Sequence, residues 1–262
     1  TKRPIPADGV DPDMANPLRR RVADAYERML RQRLEVAPTH VAIIQDGNRR
    51  YAREHGDDAP EGHREGAETT ERVLEWCDEL GIAELTLYAF STENFDRPDE
   101  ELEPLFDLLE SKLYEFADAD RVHENGVRIG AIGDVERLPE RVRDAVAYAE
   151  SQTVEYDSLR LNIALAYGGR SELLGAARTV AREVAAGELS PDDVDAEEIE
   201  ERLVFDDEPD LLIKTGAERL SDFLIWQSVY SELYFTDVNW RDFRRRDYLR
   251  AVLDYQNRQR RF

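Results

Sequence analysis

Short apolar runs separated by amphipathic stretches constrain this chain more than any other feature. The runs lie at 40–44, 85–90, 127–132, 159–165, 211–214 and, more briefly, 233–235. Between them, stretches near 63–80, 99–118, 139–151, 171–186, 196–203 and 221–231 repeat their apolar residues at helical spacing. A run that is apolar throughout is a strand covered on both faces, and strands separated by helices pair in parallel. The pattern predicts an α/β fold, a single domain with a mainly parallel central sheet of about six strands wrapped by helices. In such a sheet ligands gather beyond the carboxyl ends of the strands.

Residues 1–16, with Pro4, Pro6, Gly9 and Pro12, read as a flexible leader. Order is expected from Asn16-Pro17, a capping residue followed by a proline suited to the first helical position. Residues 17–262 then form the one domain, with the acidic stretch 188–201 as a surface excursion.

Charge excludes several functions. The 262 residues carry 58 Asp and Glu against 35 Lys and Arg, a net charge of −23, and Lys2, Lys112 and Lys214 are the only lysines. So acidic and lysine-poor a surface suits a salt-rich cytoplasm and repels nucleic acid. The ends differ: 17–35 hold six Arg against three acids, and 241–262 hold eight Arg against three. They read either as solvated arginine faces or as surfaces for an anionic lipid or an acidic neighbouring subunit. Cys77 is the only cysteine, which rules out an internal disulfide and a cysteine-rich zinc site. No stretch approaches the roughly 18 apolar residues of a membrane span, and the N-terminal segment is not signal-like, so a cytoplasmic protein is expected.

Three strand ends open into chemically unusual sequence. The first strand runs into Asp46-Gly47-Asn48-Arg49-Arg50-Tyr51. Gly47 permits a tight turn, and free N–H groups with Arg50 make a phosphate cradle if a helix begins there. A carboxylate beside phosphates makes sense when a magnesium ion bridges them; an Asp-Gly turn with solvated arginines is the plainer alternative. The second strand opens into Ser91-Thr92-Glu93-Asn94-Phe95-Asp96-Arg97. The fifth opens into Lys214-Thr215-Gly216-Ala217-Glu218-Arg219-Leu220-Ser221, where Lys214, Arg219 and the Ser221 hydroxyl are placed to converge on a second diphosphate. With 221–231 as a helix, Glu232 returns about three turns later toward the same face.

Together with Gly62-His63, Gly66-Ala67, Asn162 through Arg170, Glu232-Leu-Tyr-Phe-Thr-Asp237 and Asn257 through Phe262, these segments resemble the cis-prenyltransferase family. The resemblance implies repeated condensation of isopentenyl diphosphate onto an allylic prenyl diphosphate, giving a long-chain polyprenyl diphosphate. It also implies a Mg²⁺ cofactor, a homodimer, and peripheral membrane contact through the product. Carried over residue by residue, Asp46 is the metal-linked carboxylate and Glu232 the second metal ligand. Gly47, Asn48, Arg49 and Arg50 hold the allylic diphosphate, Lys214, Arg219 and Ser221 hold the isopentenyl diphosphate, and Tyr51 belongs to the substrate site. His63 and Asn94 join Asp46 in catalysis, and Ser91, Thr92, Glu93, Phe95 and Arg97 complete the substrate site. Asn94, an amide and a poor base, orients substrate while a diphosphate oxygen or a path through His63 takes the proton.

The sequence departs from the family pattern at Arg49, usually Gly, and at Ala59 and Lys214, both usually Arg. Lysine keeps the charge and loses the bidentate fork. A non-catalytic partner subunit on the same fold is the alternative function, and retention of Asp46, Asn94, Arg97 and Glu232 argues against it. A nucleotide phosphotransferase wants a GxxxxGK[ST] loop, which is absent. Asp206-Asp207-Glu208-Pro209-Asp210 imitates the aspartate-rich motif of trans-prenyltransferases, yet Pro209 before a strand argues for a surface loop. The hydrocarbon is expected to lie along Leu105, Phe106, Leu109, Leu113 and Phe116, with Ile129 or Ile132 as a floor. The apolar residues of 221–231 are expected to pack against a second copy.

Overall fold

The computed structural model describes the backbone of residues 17–47 and 59–259 and the side chains of 20–47 and 66–259. The leader, Asn48, Arg49, Arg50, Tyr51 and residues 260–262 lie outside the described residues, as does the side chain of His63. The elements run α1 (Pro17–Arg33), β1 (His40–Ile44), α2 (Ala59–Leu80), β2 (Glu84–Ser91), α3 (Asp99–Asp118), α4 (Asp120–Glu124) and β3 (Val127–Ile132). Then follow α5 (Glu140–Thr153), β4 (Leu159–Tyr167), α6 (Gly169–Ala186), α7 (Ala196–Glu200), β5 (Leu211–Thr215), β6 (Glu232–Thr236) and α8 (Arg245–Gln259). The six strands form one sheet of order β3-β4-β2-β1-β5-β6, parallel at every pairing. All six expected strands are present.

Period-two alternation divides each strand between two cores. In β1, Val41 and Ile43 join the larger core with Leu85, Leu87 and Leu161, whereas Ala42 and Ile44 face a smaller one with Tyr88, Ala164 and Phe223. The register between β2 and β4 shifts at Tyr88, Phe90 and Ser91, where the two strands reach their carboxyl ends. Such irregularities re-aim side chains next to functional sites.

Residues 221–230 are turns rather than the expected helix. Ser221, Asp222 and Leu224 have φ of 51°, 62° and 44°, a left-handed region that a right-handed helix cannot contain. Tertiary contacts hold them there. The Asp222 carbonyl accepts the Gly169 N–H (2.8 Å) and its Oδ1 accepts the Arg170 N–H (2.9 Å), which satisfies free donors at the start of α6. Phe223 stacks on Tyr88 with centroids 4.5 Å apart. Glu232 therefore opens β6 instead of ending a helix.

The basic C-terminal stretch, expected as a solvated arginine face or a surface for lipid or a neighbouring subunit, is helix α8, and it packs on α1. Leu30 meets Leu249 and Leu253, Gln256 Oε1 accepts the N–H groups of Glu35 and Val36 (2.6 and 2.9 Å), and the Arg250 guanidinium lies 5.2 Å from the Tyr26 ring centroid. The two basic ends of the chain are thus neighbours. No helix among the described residues is long and apolar enough to cross a membrane.

The amino end of the sheet buries a polar network. His40 Nε2 lies 2.7 Å from Thr86 Oγ1, and Asn162 Nδ2 donates to Thr86 Oγ1 (3.1 Å) and to Glu84 Oε1 (2.5 Å). Burial lowers the His40 imidazole from the ordinary 6.5 to about 4. Because the unfolded chain takes up this proton first, stability is full above about pH 6.5 and falls as pH drops toward 4, by roughly 3 kcal/mol. In His40→Gln the decline in denaturant-measured stability between pH 6.5 and 4 is expected to be shallower by about that amount; equal slopes in the two proteins would refute the assignment.

Candidate functional site

A cavity of about 520 Å³ opens at the carboxyl ends of β1, β2 and β5 and extends between the sheet, α2 and α3. Its polar residues include Gln45, Asp46, Ser91, Glu93, Asn94, Asp96, Arg97, Lys214, Arg219 and Ser221, and its apolar wall includes Leu87, Leu105, Leu109, Leu113, Phe116 and Ile163. The strand order reverses at β1, with β2 on one side and β5 on the other, the place where open parallel sheets take ligands.

Asp46 stands just beyond β1 and is held from three sides. Its N–H donates to Thr215 Oγ1 (3.0 Å) and its carbonyl accepts the Trp240 N–H (3.0 Å). In its carboxylate, Oδ1 accepts the Gly47 N–H (2.6 Å) and Oδ2 accepts from Lys214 Nζ (2.7 Å). Register brings the last pair together, since Ile44 of β1 lies opposite Lys214 of β5. Lys214 is 1% exposed while Asp46 keeps about a third of its side-chain surface, so the lysine is the buried anchor and the carboxylate faces the cavity. A buried ammonium requires such a partner. Gly47, at φ +105°, permits the turn, and a Cβ there would stand 2.3 Å from Asn239 Oδ1.

A 3₁₀ turn, Thr92–Asp96, follows β2. Asn94 Oδ1 accepts the Ser91 N–H (3.1 Å), which fixes the amide at the cavity. Ser91, Glu93 and Arg97 line it as well. Thr92 and Phe95 do not. Thr92 is turned toward Gly168, and Phe95 packs on Phe90 (5.0 Å) and Phe106 (6.4 Å) beneath the Arg137 guanidinium (4.3 Å). Their adjacency in sequence to Ser91 and Asn94 is undone by the tight turn, which sends successive side chains in different directions.

On β5 and the segment after it, Lys214, Arg219 and Ser221 all reach the cavity. Glu232 does not. It is opposite Leu211, at the amino end of β5, whereas Asp46 lies beyond the carboxyl ends; its carboxylate pairs with Arg258 (3.0 Å). The expected meeting of Glu232 with Asp46 within one chain is thereby corrected, because the helix that was to carry it back is absent. His63 precedes Gly66, Ala67 and Thr70 of α2, and these three line the cavity.

The apolar wall also differs in part. Leu105, Leu109, Leu113 and Phe116 line it, as does Leu108, while Phe106 turns into the Phe90 and Phe95 cluster. Leu161 and Ile163 of β4 take the place expected of Ile129 and Ile132. The cause is lateral order: β4 lies next to β2, and β3 is one strand farther out. Asp206 through Asp210 form a non-helical loop, where Asp207 pairs with Arg160 (2.9 Å) and Asp210 Oδ2 accepts the His40 N–H (3.0 Å). Gln45, which ties β1 to α2 through Thr70 Oγ1 (2.9 Å), and Thr215 were missed in the sequence, although each sits at a strand end.

No group of three or more His, Cys, Asp or Glu able to hold a metal occurs among the described residues. Magnesium is commonly held by one or two carboxylates and the substrate's phosphates rather than by a protein cage. Asp46, whose carboxylate faces a cavity that also holds Lys214, Arg97 and Arg219, could hold a metal ion in that way.

Residues 44–262 match the family model for putative undecaprenyl diphosphate synthase. The chain is 59% identical over 250 residues, 92% of its length and 83% of the relative's, to tritrans,polycis-undecaprenyl-diphosphate synthase (geranylgeranyl-diphosphate specific) of Halobacterium salinarum. It is 50% identical over 248 residues, 92% of its length and 89% of the relative's, to the protein of the same name in Methanocaldococcus jannaschii. Among solved structures, lavandulyl diphosphate synthase from Lavandula x intermedia, in complex with dimethylallyl diphosphate, superposes with a TM-score of 0.77 at 37% identity, covering 85% of this chain and 97% of that one. A probable undecaprenyl diphosphate synthase from Campylobacter jejuni gives a TM-score of 0.69 at 32% identity, covering 86% and 97%.

Proposed function

Because the chain belongs to the undecaprenyl diphosphate synthase family of prenyltransferases, we propose that it extends geranylgeranyl diphosphate by repeated cis condensation with isopentenyl diphosphate to an undecaprenyl-length product. One observation carries this: a single cavity joins a polar mouth of mixed charge to a long apolar wall, matching a diphosphate head with a hydrocarbon tail. The primer and product length follow the names of the archaeal relatives.

In each cycle the allylic carbon–oxygen bond breaks, the isopentenyl double bond forms the new carbon–carbon bond, a proton leaves the isopentenyl unit, and diphosphate departs. Lys214, Arg219 and Ser221 hold the isopentenyl diphosphate, and the Gly47 turn, with Asn48, Arg49, Arg50 and Tyr51 beyond it, holds the allylic one. Holding two anions side by side makes the reaction effectively unimolecular. Asp46 would hold Mg²⁺, and the ion would supply electrostatic stabilisation of the departing diphosphate. Asn94 orients the isopentenyl unit, and a diphosphate oxygen takes its proton. Each added unit buries about five carbons along α3, on the order of 4 kcal/mol, which favours elongation until the apolar space is filled.

The protein acts as a homodimer in a salt-rich cytoplasm and touches the membrane through its product. Supporting the pairing, Val229 and Tyr230 are 65% and 86% exposed beside the buried Phe223 and Leu224. The test is incubation with labelled isopentenyl diphosphate, Mg²⁺ and high salt, offering geranylgeranyl diphosphate against shorter allylic primers. Long products from geranylgeranyl diphosphate are expected; no chain elongation with any primer would sink the proposal.

A further inference from the structure

Leu105, Leu108, Leu109, Leu113 and Phe116 follow an i, i+3, i+4, i+8, i+11 stripe along α3, and this stripe lines the cavity. Lys112, at i+7, lines the same cavity where the period calls for an apolar residue. Its methylene stem serves as wall, and its ammonium is held by Glu71 Oε1 on α2 (3.2 Å) and Glu115 Oε2 (2.7 Å). Glu71 Oε2 in turn pairs with Arg121 of α4 (2.6 Å). Lys112 and Glu71 are each 19% exposed. Although partial burial opposes the charge, the carboxylates of Glu115 and Glu71 hold the lysine above its ordinary range. The bridge crosses from α3 to α2 roughly 10 Å along the helix from Leu105, beside the apolar part of the cavity.

We propose that the Lys112–Glu71 ion pair limits product length by clamping α2 to α3 along the side of the cavity. This rests on the prenyltransferase function proposed above. A prenyl chain that has filled the apolar space can advance by parting the two helices. Here it meets paired charges, which hydrocarbon separates only by stripping them of partners and water. An uncharged seam yields more readily.

Lys112→Met keeps the stem and removes the charge, Glu71→Gln removes the opposite charge, and Lys112→Arg keeps the pair. Wild type and variants are incubated with geranylgeranyl diphosphate, Mg²⁺ and labelled isopentenyl diphosphate, and product lengths are compared by chromatography at equal label incorporation. Lys112→Met and Glu71→Gln are expected to move the dominant product up by at least one isoprene unit, with Lys112→Arg at the wild-type length. Unchanged lengths in both charge-removing variants overturn the clamp, even if their stability falls. Should Lys112→Met fail to fold by circular dichroism, Glu71→Gln decides alone. A wild type that elongates no primer removes the proposed function, and the clamp with it.

Discussion

Asp46→Asn is expected to lower turnover at least 10³-fold, a barrier increase of about 4 kcal/mol, with a smaller fall in melting temperature than Asp46→Ala gives. The amide keeps an oxygen to accept from Gly47 or Lys214, so the turn that Thr215 and Trp240 hold is retained. Lost is the negative charge facing the cavity, which would hold Mg²⁺ in the proposed chemistry. Asp46→Ala is expected to be as inactive and less stable, because Lys214, 1% exposed, loses that carboxylate. Single-turnover rates at saturating Mg²⁺ and thermal melts separate these effects. Near-normal turnover in a folded Asp46→Asn protein would remove Asp46 from the chemistry.

Glu172→Ala is expected to destabilise the protein by about 3–5 kcal/mol, lowering the melting temperature on the order of 10 °C. Glu172 is 8% exposed, and four donors converge on it. Oε1 accepts the N–H groups of Val204 and Phe205 (both 3.1 Å); Oε2 accepts the Tyr167 hydroxyl (2.5 Å) and Gln227 Nε2 (3.1 Å). Burial first, and the Glu172 carboxylate next, push the Tyr167 hydroxyl well above the phenol range, so it remains a donor. Alanine leaves several buried donors without this acceptor, each worth about 1–3 kcal/mol when unmet. Gln227 belongs to the turn segment that carries Ser221, so a raised KM for isopentenyl diphosphate should accompany the loss. Denaturant titration measures the stability, and a change below about 1 kcal/mol would show that water replaces the carboxylate readily.

Most of the candidate site was legible because its residues follow strand ends. Asp46, Ser91 and Lys214 each close an apolar run, and a parallel sheet gathers such positions at one edge whatever the order of its strands; Asn94 follows in the turn after Ser91. Arg97, Arg219 and Ser221 come along on the short segments that follow. Thr92 and Phe95 were misjudged because a tight turn reverses side-chain direction from one residue to the next, which composition does not reveal. Glu232 was misplaced for a different reason. Its expected position depended on counting helical turns through Phe223, Ile225, Trp226 and Tyr230, whose spacing suits a helix while the backbone at Ser221, Asp222 and Leu224 does not.

The amino-acid sequence by itself determined the strands, most of the helices and the edge of the sheet at which chemistry gathers, because burial on both faces and helical amphipathicity are local periodicities of the chain. It also determined the family, since its motifs keep their order and, apart from Arg49, Ala59 and Lys214, their residues. Only the tertiary structure decided that 221–230 is a turn segment, through Asp222 at the start of α6 and Phe223 against Tyr88. It alone made Leu161 and Ile163, rather than Ile129 and Ile132, part of the cavity wall, because lateral strand order depends on how distant helices pack. The pairing of Asp46 with a buried Lys214, 168 positions apart, is of the same kind: register between β1 and β5 brings them together, and register comes from long-range packing that no local pattern encodes.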